Sequence, residues 1–246
     1  MRARSFQVYG ERCSGTNFII RLLERNVSSA AFTEDYGFKH WFVDEDLTVP
    51  NDVLVLSVAR DWTDWVRSFH RQPWHAHPSL RELSMPRFLR AEWHCVWDDD
   101  WYDLPENDPR RGREMMHERD PATGERFSNV LAMRQAKEAN WARLRQRSAQ
   151  AERVSYEAVS ADPEGFLRRL ADRHGLTLAD TFVPVDSYKG QKRKEYVPKQ
   201  YPPLSVEDAA LVGRYAEADD AATQTAPRVV SVVRTAPVDA RSEHRA

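Results

Sequence analysis

Two cysteines, Cys13 and Cys95, are all that the 246-residue chain contains, and they form no paired spacing. That excludes a disulfide framework and suits a reducing compartment. Excess charge is also missing: 36 Lys and Arg stand against 38 Asp and Glu, a formal net charge of −2. A general nucleic-acid binder carries a basic excess, so that class is excluded and any anion site has to be local. No apolar window is long enough to span a bilayer, and "MRARSFQVYGERC" lacks the apolar run of a signal peptide. The expectation is a soluble, cytoplasmic protein with no nucleic-acid and no membrane partner. There is no internal repeat and no linker-like stretch in the middle. Both absences point to one domain over 1–220 and a disordered tail over 221–246.

What is present reads as an α/β pattern. "SFQVY" is a short apolar-rich run ending at Gly10, and Phe18, Ile19, Leu22 and Leu23 recur at helical spacing over 16–26. "YGFKHWF" (36–42) is aromatic and short, which suggests a second strand. "DVLVLSVA" (52–59) is a continuous apolar run of the kind buried in the middle of a parallel sheet. Trp62, Trp65, Val66 and Phe69 follow at helical spacing. Residues 73–128 are rich in Pro, Asp, Gly and Trp and read as an irregular insertion around a helix at 85–93. A long helix is expected over 128–147 and a strand in "ERVSYEAV". The next helix is well signalled, with Asp162 as cap, Pro163 in the first turn and Gly175 to close it. Ser205 is placed to cap a last helix, and "RVVSVV" in the tail has the composition of an edge strand. The fold class expected is a P-loop-type three-layer α/β fold, with a central, mainly parallel sheet flanked by helices.

"VYGERCSGTNF" (8–18) carries the first chemical signal. Gly10 and Gly15 occupy the two glycine positions of a phosphate-binding G-x-x-x-x-G-K-[ST] loop, but Thr16 replaces the lysine and Asn17 the Mg²⁺-binding hydroxyl. A turn between a parallel strand and a helix gathers backbone N–H groups and the positive end of the helix dipole, which together bind anions. Ser14, Gly15, Thr16 and Asn17 are small or polar, so a phosphate can approach the backbone; Arg12 adds a forked cation. Arg60 leaves the end of the buried strand, where open α/β sheets bind ligands, and Ser68 lies eight residues on. An ordinary strand–helix turn and two solvated side chains are the plain alternatives.

These features together resemble the sulfotransferases that use 3′-phosphoadenosine-5′-phosphosulfate (PAPS). "RCSGTNF" is similar to the family's 5′-phosphosulfate loop, and Arg60 and Ser68 match its spacing for the 3′-phosphate grip. "ERVSYEAVSADPEGFLRRLADRHGL" is similar to its V-x-Y-E-D-L segment, which makes Tyr156 the residue near adenine. "YKGQKRKEY" is similar to its late basic loop, with Lys189, Gly190, Lys192 and Arg193 as the candidates. The resemblance spans 6–195 in order. It implies PAPS as co-substrate, no metal, and an acceptor hydroxyl or amine on a small molecule or carbohydrate. One departure stands out: Cys13 occupies the place of the family's loop lysine, with Arg12 beside it as a possible substitute.

An acceptor hydroxyl benefits from a general base, and His40 is the candidate because imidazole titrates near neutral pH. Lys39 beside it would stabilise the leaving phosphate or the sulfonate, although adjacent strand residues point to opposite faces. Glu11, Glu34 and Asp35 are reserve bases. His70, His75 and His77 form no clean tetrahedral set for a metal. Trp93, Trp97, Trp101 and Tyr102 either stack on an acceptor or pack the insertion. Arg134 and Lys137 read by default as a solvated helix face. Two rival functions stay open: a P-loop small-molecule kinase, and a non-catalytic nucleotide-binding protein of the same fold.

Overall fold

The computed structural model describes residues 2–98, 104–187, 195, 197 and 199–225. Trp101, Tyr102, Lys189, Gly190, Lys192, Arg193 and the "RVVSVV" stretch lie outside the described residues. In chain order the elements begin β1 (Ser5–Tyr9), α1 (Thr16–Asn26), β2 (Ala31–Phe32), β3 (Val53–Ala59) and α2 (Trp62–Arg71). Short helices α3 (Pro78–Arg81) and α4 (Met85–Phe88) and a 3₁₀ turn (Met116–Glu118) occupy the irregular region. Then come α5 (Val130–Ala142), α6 (Leu144–Arg147), β4 (Ala151–Ser155), α7 (Tyr156–Ala161), α8 (Pro163–His174) and α9 (Val206–Thr225).

The four strands form one all-parallel sheet in the order β2-β1-β3-β4, so the α/β class with a parallel central sheet holds. β1 and β3 alternate as a sheet buried on both sides requires. Phe6, Val8, Leu54, Leu56 and Val58 pack with Ile19, Leu22 and Leu23 of α1 and Phe166, Leu167 and Leu170 of α8. On the opposite face Tyr9, Val53 and Val55 meet Trp141 of α5 and Leu144 of α6. A third apolar cluster joins Trp65, Val66 and Phe69 of α2 to Leu131 and Met133 of α5, Val212 of α9, and Phe88, Trp93 and Met115 of the insertion.

Chain order sends β1 to β2 on one side and β3 to β4 on the other. The crevice outside the C-terminal ends of β1 and β3 is therefore the topological switch point, where open α/β sheets take ligands. Register places Tyr9 opposite Ser57 and Ala59 opposite Ser155, so the loops leaving β1, β3 and β4 emerge at one edge.

Several expectations need correction. Residues 36–42 form turns rather than a strand, and the second strand is Ala31–Phe32. The 36–42 run has no alternating face to offer a sheet: Tyr36 packs with the cluster around Tyr9, while Trp41 and Phe42 join the cluster around Trp65. The helix expected at 85–93 stops at Phe88, and Trp93 instead bridges to Phe127. The long helix breaks at Arg143 into α5 and α6. Strand β4 ends at Ser155, whose hydroxyl accepts from the Ala158 N–H and starts α7 at Tyr156. The Asp162 cap, accepting from Gly165 N–H, and the left-handed Gly175 at the end of α8 are as expected. Ser205 accepts from the Asp208 N–H, and α9 runs on to Thr225, past the expected boundary at 220.

Candidate functional site

The loop after β1 is shaped by backbone that L-residues avoid. Gly15 is the N-cap of α1 at φ 91°, and Cys13 holds φ 64°. A non-glycine residue in the left-handed region costs on the order of 1 kcal/mol, and such outliers concentrate at ligand clamps. Glycine is needed at 15 for a second reason: a Cβ there would lie 2.2 Å from Cδ2 of Tyr156. A Cβ on Gly10 would sit 2.8 Å from the Val58 carbonyl. The α1 N-terminus has no side-chain cap and no acidic residue in its first turn, so its positive end is not neutralised from within the helix. Ser14 is fully buried, and its hydroxyl has no hydrogen-bond partner. A buried polar atom without a partner suits a site built for a ligand with acceptor oxygens.

Four of the sequence-predicted residues meet at this loop. Arg60, one residue past β3, donates from Nη1 to the Cys13 carbonyl over 2.8 Å. Its guanidinium carbon lies 5.2 Å from the Tyr156 ring centroid, and its buried Nε has no partner. Ser68 reaches the same place from α2, close enough to the Cys13 side chain to favour its ionised form. Tyr156 covers Gly15 and meets Phe18 edge-on at 5.9 Å. Burial pushes the Cys13 thiol up to about 11, which keeps it protonated and unreactive at neutral pH.

Arg12 turns the other way. Its guanidinium is buried against Glu11 (3.0 Å) and Glu118 (2.6 Å), and Lys137 Nζ completes the group at 2.8 Å from each carboxylate. Burial raises both carboxyl pKa values, but the Lys137 and Arg12 charges outweigh it, so both sit below the usual range and stay ionised. Arg12 is thus committed to two buried carboxylates. Glu11 is engaged likewise, while Glu34 and Asp35 are exposed in a turn.

Lys39, like Arg60, is a cation that does reach the loop. Its Nζ donates to Asn17 Oδ1 over 2.9 Å, at the first turn of α1. The strand objection to using both Lys39 and His40 lapses, because the Trp41 N–H donates to the Phe38 carbonyl and makes the pair the centre of a turn. His40 is buried, with Nδ1 2.6 Å from the Gly10 carbonyl. The carbonyl accepts, so Nδ1 carries the hydrogen and Nε2 keeps its lone pair. Burial and the Arg12 and Lys39 charges hold its pKa well below 6.5, so the ring is neutral.

Other candidates are structural. His70 Nε2 pairs with the Leu83 carbonyl, and His77 caps α3. Among the described residues no three His, Cys, Asp or Glu side chains are grouped to hold a metal. Trp93 is core, and Trp97 packs edge-on to Trp41 and His117. Arg134 and Lys137 are fully buried, against the expectation of a solvated face. Arg134 lies 4.1 and 4.4 Å from the Trp62 and Trp65 rings and donates to the Arg60 carbonyl. Sequence reasoning missed Glu118 and Tyr201, and no local pattern marks either one. A scan of protein-family models finds no match to this sequence, and comparison with curated proteins finds none either. Among the described residues no helix is long and apolar enough to cross a membrane.

The buried imidazoles make stability pH-dependent. His75 is held down to about 2, chiefly by burial and the Arg12 charge, and His40 is also depressed. Below pH 6.5 the unfolded chain therefore binds protons that the fold refuses, and stability falls with pH. Each histidine adds a slope of about 1.4 kcal/mol per pH unit well below that point. His94 is depressed as well, so His75→Gln is expected to remove about a third to a half of the histidine-driven loss seen in urea melts between roughly pH 6.5 and 5. An unchanged slope would mean that His75 accepts a proton in the fold.

Proposed function

We propose that the protein is a PAPS-dependent sulfotransferase, moving a sulfuryl group to a hydroxyl or amine of a small-molecule or carbohydrate acceptor without a metal. The observation carrying this reading is the meeting of Cys13, Arg60, Ser68 and Tyr156 at the switch point. The loop N–H groups and Ser14 would hold the 5′-phosphosulfate, Arg60 and Ser68 the 3′-phosphate, and Tyr156 the adenine. Lys39 would neutralise the oxygen between phosphorus and sulfur as that S–O bond breaks. His40 Nε2 would take the acceptor's proton as the new bond to sulfur forms. The dianionic phosphosulfate would offset the Arg12 and Lys39 charges that depress His40, so binding would raise the affinity of the ring for that proton.

Lys39 could also serve a kinase loop, but Asn17 supplies no hydroxyl for Mg²⁺. Calorimetry separates the readings. Adenosine 3′,5′-bisphosphate is expected to bind without Mg²⁺ and more tightly than ATP; the reverse order, or a strict Mg²⁺ requirement, would count against sulfuryl transfer. Arg60→Ala is expected to weaken adenosine 3′,5′-bisphosphate about 10- to 100-fold, the range for a lost charged hydrogen bond. The same loss for adenosine 5′-phosphosulfate would remove Arg60 from the 3′-phosphate grip.

A further inference from the structure

Tyr201 precedes α9 and lies outside the four segments of the resemblance. Its phenol donates to Ser68 Oγ over 3.2 Å, joining positions 133 residues apart. The half-buried ring lies 5.9 Å from the Arg67 guanidinium carbon, and Arg67 is itself held by Asp64 at 2.7 Å. Ser68 in turn lies beside the Cys13 side chain, and the Cys13 carbonyl anchors Arg60. The Tyr201–Ser68 bond therefore sits beside the loop that follows β1.

A serine hydroxyl has one proton and two lone pairs. Tyr201 fills one lone pair, which leaves the Ser68 proton for another partner. A thiol sulfur is a weak acceptor, whereas a phosphate oxygen is a strong one. A hydroxyl that already accepts a hydrogen bond is also polarised into a better donor. We propose that Tyr201 is a specificity-determining positioning residue. By donating to Ser68, it turns that hydroxyl's proton toward a phosphate at the ribose 3′ position and sets the preference for 3′-phosphorylated nucleotides. This inference rests on the sulfotransferase reading above. Tyr201 acts through Ser68, and the substitution Tyr201→Phe keeps the ring against Arg67 while removing the donor.

The test is calorimetry of the full chain with adenosine 3′,5′-bisphosphate and with adenosine 5′-monophosphate, after thermal melts have confirmed that each variant folds. Tyr201→Phe is expected to weaken the bisphosphate about five- to tenfold and the monophosphate less than about twofold. In a Ser68→Ala background the same change is expected to add nothing, because the two residues act as one unit. Wild-type protein that shows no preference for the bisphosphate overturns the sulfotransferase reading and this inference with it. A wild-type preference that survives Tyr201→Phe overturns the inference alone. Equal weakening of both nucleotides also overturns it, since that is the mark of a merely structural tyrosine.

Discussion

Lys137→Met is expected to destabilise the fold by about 3–5 kcal/mol, the range for removing one partner of a buried ion pair. Lys137 is fully buried and bonds both Glu11 and Glu118 within 3.0 Å. The group holds two carboxylates and two cations, so loss of the amine leaves two buried negative charges facing Arg12 alone. Methionine matches the stem but carries no donor. The fold's cheapest relief is to protonate one carboxyl. In the wild type both carboxyls are held low, so their contribution is present above the ordinary value of 4.5 and is lost as pH falls through the folded pKa values. In the variant one folded pKa rises above 4.5, so the penalty grows as pH rises past that value. Urea melts at about pH 5 and pH 8 should therefore show a smaller deficit at the lower pH. Adding Glu118→Gln should restore part of the loss at pH 8 by rebalancing the charge. A deficit under about 1 kcal/mol, independent of pH, would mean that water solvates the cluster.

The framework of the fold was legible because period and capping agree there. β1 and α1 fall at the boundaries read from "SFQVY" and the Phe18–Leu23 spacing, and β3 is the apolar run apart from its first residue. The α8 caps are local chemistry, visible in Asp162, Pro163 and Gly175. In residues 36–42 aromatic content imitates a strand, but Gly37 at φ 106° breaks the run, and its aromatics serve two different clusters. The buried cations of α5 carry a positional signal of their own. Val130, Arg134, Lys137 and Trp141 are spaced i, i+4, i+7, i+11, so they share one stripe whose apolar ends are both buried. Charge alone suggested solvent, but position in the stripe decided burial. Glu118, from a 3₁₀ turn in the irregular insertion, balances that stripe and had no periodicity to betray it. The site divides along the same line. Loop residues were readable as a motif, whereas the source of the loop's cation depends on how a turn 22 residues away folds back onto α1.

Lys39→Met is expected to lower sulfuryl-transfer turnover about 10²- to 10³-fold, the scale for losing one preorganised donor to developing charge. Adenosine 3′,5′-bisphosphate should still bind within about fivefold, because the phosphates keep the loop N–H groups and Arg60. For the proposed sulfuryl transfer the loop would need a cation, because charge builds on the leaving oxygen as the S–O bond breaks. Arg12 cannot supply it without abandoning Glu11 and Glu118 in a buried setting. Cys13 is a neutral thiol there. Lys39 Nζ, 2.9 Å from Asn17 Oδ1, is already at the first turn of α1. Asn17→Ala, which removes that holding contact, should reduce turnover by a smaller factor than Lys39→Met, and Lys39→Arg should recover part of it. A Lys39→Met variant that keeps wild-type turnover would remove Lys39 from the proposed role at the leaving oxygen, with Arg60 left as the loop's cation. An equal loss of bisphosphate affinity and turnover would instead make Lys39 a ground-state phosphate clamp, which stabilises donor and transition state alike.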